Sequence, residues 1–101
     1  MLLLEKIVID EKIRIEKMIS AYEDELATLP KGYISIKHIN NGEYFYLQFR
    51  DGKKVTSKYL GKDEKSIADI KAQLERRAQI EEVLSALREE YVLASKYEEM
   101  I

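Results

Sequence analysis

Lys37, Tyr44, Tyr46, Gln48, Arg50, Lys54, Thr56 and Lys58 are the side chains of this 101-residue chain whose types and spacing could do chemistry. That chemistry is recognition of an anionic, aromatic ligand. Lysine and arginine neutralise phosphates and release their counterions, and a tyrosine ring offers a flat face on which an unstacked base can lie. Gln48 and Arg50 carry donors of the kind that read base edges in a duplex groove. The set therefore points to nucleic acid, DNA ahead of RNA. The plain alternative is that Tyr, Thr and Lys are what solvent-facing strands favour.

Bond-breaking chemistry finds far less to work with. The chain has no cysteine and one histidine, His38, so a thiol nucleophile, a disulfide framework and a thiolate zinc site are excluded. His38 lacks the serine or carboxylate arrangement that would make it a general base, and a structural role is expected for it. The acidic clusters Glu23-Asp24-Glu25 and Glu89-Glu90 sit at adjacent helical positions, which diverge, and read as solvated faces. Lys71 and Arg76-Arg77 read the same way. Gly32, Gly42, Gly52 and Gly61 are spaced as strand punctuation and form no phosphate-cradling loop. A non-enzymatic protein without cofactor or metal is the expectation.

The elements that must position these side chains are three. From about Leu3 to Leu29 there is no Gly or Pro, and Leu4, Val8, Ile15, Met18, Ile19, Tyr22, Leu26 and Leu29 fall on one helical stripe. Pro30 and Gly32 end that helix. The β-branched run Ile7-Val8-Ile9 leaves a shorter helix capped by Asp10 as the alternative start. Strands are expected at roughly 33–39, 43–49 and 54–60. Asn41-Gly42 suits a two-residue type I′ turn, setting Ile36 opposite Leu47 and Ile34 opposite Phe49. Arg50-Asp51-Gly52 suits a three-residue loop that sets Leu47 opposite Val55. A two-residue Asp51-Gly52 turn would set Leu47 opposite Thr56 and mix the faces, so the hydrophobic pattern favours the longer loop.

With those registers one face collects Ile34, Ile36, His38, Phe45, Leu47, Phe49, Val55 and Tyr59, and must be covered. The other collects Ser35 with the eight side chains named first. A helix from about 63 to 99 follows, with Asp63 or Ser66 as its cap and Asp69 completing a capping-box-like pair with Ser66. The expected fold class is α+β: a long N-terminal helix, a three-stranded antiparallel meander and a long C-terminal helix, in one domain, with the helices as an antiparallel pair on one sheet face. The second helix is the longer, so its far half should overhang. Leu84, Leu87 and Tyr91 would then form the interface of a homodimer.

Charge follows the same division. The net charge of −2 is the sum of −3 over residues 1–30, +5 over 31–62 and −4 over 63–101, so the meander is basic and its arms are acidic. Glu5, Lys6 and Asp10 interrupt the apolar N-terminus, and no run reaches the roughly 18 apolar residues of a membrane span. A cytoplasmic, soluble protein without membrane contact is expected.

The stretch from Leu29 to Ile70, with Leu29-Pro30-x-Gly32 leading in and Lys58-Tyr59-Leu60-Gly61 leading out of a Tyr-rich meander, resembles a family of small uncharacterised bacterial helix/β-meander/helix proteins. Tyr44-x-Tyr46, Arg50-x-Gly52-Lys53 and Lys58-Tyr59-Leu60-Gly61 are also locally similar to the N-terminal strands of some insertion-sequence transposases and, more weakly, to the three-stranded arm-binding modules of phage integrases. The catalytic residues of both have no counterpart here, so the resemblance implies a binding element, such as an accessory factor of a mobile element. The competing expectation is a helical protein–protein interaction module, such as a phage or mobile-element inhibitor of nucleic-acid machinery.

Overall fold

The computed structural model describes residues 2–101. In chain order it comprises α1 (Leu3–Ala27), β1 (Tyr33–Ile39), β2 (Gly42–Asp51), β3 (Lys54–Gly61), a 3-10 turn (Glu64–Ile67) and α2 (Ala68–Met100). This is the expected α+β class, and the longer of the two readings of the first helix is the one observed. Thr28 closes α1 by donating to the Glu25 carbonyl from both its backbone N–H (3.0 Å) and its hydroxyl (2.7 Å). Asp63 caps the second helical stretch, its carboxylate accepting from the Ser66 N–H at 3.1 Å while the Ser66 hydroxyl donates to the Asp63 carbonyl at 2.5 Å. Among the described residues no helix is long and apolar enough to cross a membrane.

The chain divides into two compact units: a helical one, up to Thr28 and from Gln79 onward, and a sheet unit, Leu29–Ala78. In the helical unit α1 and the later turns of α2 run antiparallel. Lys12 meets Glu98 at 2.9 Å, the Tyr91 hydroxyl donates to Glu16 at 2.8 Å, and Arg88 donates to Glu23 at 3.1 Å, so partner numbers fall along α2 as they rise along α1. The seam is dry. Ile15, Ile80 and Leu84 are 1% exposed and Leu87 is 6% exposed. The expected overhang is therefore corrected: the half of α2 that carries Leu84, Leu87 and Tyr91 is paired with α1 of its own chain. Leu84 and Leu87 are core, and Tyr91 is half-buried with its hydroxyl engaged by Glu16.

In the sheet unit the strand order is β1-β2-β3, antiparallel throughout. Both turns differ from the sequence expectation. The first is Asn40-Asn41, with φ of +49° and +69°. Asparagine tolerates this left-handed region well enough to fill both positions of a type I′ turn. The register becomes Ile34 opposite Leu47 and Ile36 opposite Phe45, a slip of two residues that leaves every β1 side chain on its expected face.

The second correction has larger consequences. Asp51 pairs with Lys54, leaving a two-residue loop, Gly52-Lys53, whose first residue takes φ +64° as glycine readily does. Leu47 then lies opposite Lys58 and Phe49 opposite Thr56, in place of the Leu47–Val55 pairing expected. All of β3 is turned over relative to that expectation. Lys54, Thr56 and Lys58 join the face of Leu47 and Phe49, while Val55 and Tyr59 join the face of Arg50 and Tyr46. A β-bulge between Phe45 and Tyr46 then shifts the pairing again, so that Phe45 lies opposite Gly61. Phe45, Leu47 and Ile67 are the buried side chains of this unit among the described residues. The 3-10 turn that carries Ile67 packs against β3.

Candidate nucleic-acid interface

Alternation along β2 aims Phe45 and Leu47 into the core and sends Tyr44, Tyr46, Gln48 and Arg50 to the opposite, open face. Across from these, β1 contributes Lys37 beside Tyr44, Ser35 beside Tyr46 and Tyr33 beside Gln48. From β3 come Tyr59 beside Tyr46, Ser57 beside Gln48 and Val55 beside Arg50. The Tyr59 ring lies 5.4 Å from that of Tyr46 and 6.5 Å from that of Tyr44, centroid to centroid, both tilted. Such spacing is within the favourable range for aromatic pairs. Tyr44 and Tyr46 are half-buried and Tyr59 is 50% exposed, so each ring is partly anchored in the sheet surface and partly accessible.

Cations sit over this cluster. The Lys37 ammonium is 4.5 Å from the Tyr46 ring centroid and the Lys62 ammonium 5.4 Å from that of Tyr44. Each is held by the negative face of the ring. Gln48 is oriented by Tyr33, whose hydroxyl donates to its side-chain oxygen at 2.6 Å and leaves the amide NH2 to donate outward. The two strand carboxylates, Glu43 and Asp51, are odd-numbered like Phe45 and Leu47 and fall on the other face. Glu43 stands 3.8 Å from His38 there. The open face therefore joins aromatic surface to positive charge with no strand carboxylate to cancel it.

Of the eight side chains singled out from the sequence, the structure brings together five: Lys37, Tyr44, Tyr46, Gln48 and Arg50. Lys54, Thr56 and Lys58 are not among them. Lys58 lines a depression with Leu29, Pro30, Lys31, Leu47 and Phe49, on the opposite side of the sheet. Sequence reasoning missed Tyr33, Tyr59 and Lys62. The signal for Tyr59 lay in loop length, because any even-numbered connection between β2 and β3 sets Tyr59 on the side of Tyr46. Among the described residues no group of three or more His, Asp or Glu is placed to hold a metal ion.

The elements and this face define an α+β helix–meander–helix protein with an aromatic and basic sheet surface. The chain belongs to the family described as a domain of unknown function, DUF6788, whose model matches residues 10–72. That span takes in most of α1, the whole meander and the first turn of α2, so the open face lies within the family domain. Comparison with curated proteins and with solved structures finds no match. The likeness to transposase and integrase strands accordingly rests on the local residues alone.

Proposed function

We propose that this chain is a non-enzymatic nucleic-acid-binding protein that grips its ligand with the open sheet face. The observation that carries the reading is the convergence of Tyr44, Tyr46 and Tyr59 in one patch with lysine ammonium groups parked over two of the rings. A phosphate is a stronger partner for an ammonium than a ring face is. On binding, Lys37 and Lys62 swing to the backbone and uncover the rings, on which successive bases stack at about 1–3 kcal/mol each. Arg50 adds a second backbone contact, and the Gln48 amide, held by Tyr33, supplies a directed donor to a base edge.

The two sheet faces provide their own control. Fluorescence anisotropy with labelled single-stranded DNA, single-stranded RNA and duplex DNA, between about 50 and 200 mM salt, should show affinity falling steeply as salt rises. Lys37→Ala with Arg50→Ala should flatten the slope of log K against log salt by about 1.4 for a single strand, at about 0.7 for each phosphate no longer neutralised. Tyr59→Ala should weaken binding by about 1–3 kcal/mol with little change in that slope. Lys54→Ala with Lys58→Ala, on the opposite face, should leave the slope near that of the wild type. Equal effects of the two lysine/arginine pairs, or weak binding indifferent to salt, would reject the reading in favour of a helical protein–protein interaction module.

A further inference from the structure

The two flanks of the helical hairpin differ in kind. One is closed by polar contacts between the helices: Lys12 with Glu98, Tyr91 with Glu16 and Arg88 with Glu23. The other is an open groove of about 400 Å³ whose apolar lining is Ile7, Val8 and Ile15 from α1 and Leu93, Ala94 and Tyr97 from α2. Ile7, Leu93 and Tyr97 are each more than half exposed. Helical spacing carries the surface further, because Leu3 and Leu4 stand one turn before Ile7 and Met100 one turn after Tyr97. We infer that this groove is the contact surface of a second copy of the chain, docked groove to groove about a two-fold axis.

Area is the first argument. The exposed parts of Leu3, Leu4, Ile7, Leu93, Tyr97 and Met100 amount to on the order of 700 Å², against roughly 300–600 Å² for the largest apolar patch of a typical monomer and roughly 800 Å² per partner in a standard interface. Architecture is the second. A lone pair of antiparallel helices has one seam, and this one buries Ile15, Ile80, Leu84 and Leu87. Pairing two hairpins converts two open grooves into one closed four-helix core. The third argument is charge. The rim carries both signs, Glu11 and Arg14 on α1 and Glu90 on α2, and the Arg14 guanidinium is already engaged by the Glu11 carboxylate. Such a rim selects no strongly basic or acidic partner. In a two-fold contact Arg14 of each copy can face Glu90 of the other, since an isologous interface repeats each pairing in reverse. This inference is independent of the nucleic-acid reading.

Sedimentation velocity of the full chain over a range of concentrations tests it. The wild type should sediment as a dimer. Leu93→Asp with Tyr97→Asp should weaken association by on the order of a hundredfold, as central apolar anchors do, while the helical circular dichroism is retained because both positions are half exposed. Val92→Asp is the matched control. Val92 is as exposed as Leu93, both at 53%, but lies beside Arg88 on the polar flank, and its replacement should leave the dimer intact. A wild type monomeric at every concentration would overturn the inference. So would a dimer that Val92→Asp disrupts and the groove pair does not.

Discussion

Leu84→Ala separates a core position from a contact between chains. The side chain is 1% exposed in a single copy of the protein, packed in the seam between α1 and α2. Truncation to alanine removes buried methyl and methylene groups and leaves a cavity that helix backbones on both sides keep open. Comparable leucine truncations cost about 2.7–5.0 kcal/mol, and total stability for a chain of this length is about 5–15 kcal/mol. The expected loss is about 3–4 kcal/mol, because the site is closed and its neighbours Ile80 and Leu87 are themselves held in the seam. That corresponds to a fall in Tm on the order of 15–25 °C for a domain near 100 residues. Urea unfolding followed at the helical circular dichroism band would measure it. The loss should be the same at low and high protein concentration, since the contact is internal. A loss below about 1 kcal/mol, or one that appears only where chains associate, would refute the placement of Leu84 in the core.

Glycine substitutions test the sheet unit. A Cβ on Gly32, at φ +112°, would stand 2.1 Å from the Gln48 carbonyl oxygen, so Gly32→Ala should cost about 3 kcal/mol or more. Gly52→Ala meets open space and should cost only the about 1–2 kcal/mol of a left-handed alanine, with both values read from urea midpoints. Tyr91 should titrate later than an ordinary phenol, because its hydroxyl donates to the Glu16 carboxylate and burial disfavours the phenolate. Its folded pKa lies above the unfolded one, so the hydroxyl stabilises the fold in full below the ordinary phenol pKa and ceases to do so as pH rises through the raised value. Ultraviolet titration of the phenolate band should show this late-ionising component disappear in Tyr91→Phe and ionise earlier in Glu16→Gln.

Much of the fold is written locally. The unbroken helical stripe from Leu4 to Leu26 and the stop at Pro30 define α1, and Asp63 placed three residues before Ser66 marks the start of the next helical stretch. The five open-face residues on β1 and β2 were legible for a different reason. Alternation along one strand is robust, and an error of two residues in the first turn changes partners without changing faces. β3 was not legible. The two apolar residues that set its expected face, Val55 and Tyr59, are 61% and 50% exposed, so the hydrophobic pattern pointed to the wrong loop length. A single residue more or less in the Gly52-Lys53 connection inverts every side chain beyond it. The homodimer expectation drew on Leu84, Leu87 and Tyr91 because their spacing looks unpartnered in one dimension. The seam with α1 depends on contacts more than sixty residues apart, such as Arg88 with Glu23.

With only three strands, β2 alone has neighbours on both sides, and β1 and β3 each turn one row of backbone N–H and C=O groups outward. An outer strand of this kind is a template on which a foreign strand can crystallise. Lys54 and Lys58, left without a place on the aromatic face, gain one here: a stranger zipping onto β3 would have to strip water from two ammonium groups. On this view the lysines guard the rim of the sheet against runaway growth into fibrils, a use for positive charge that needs no ligand.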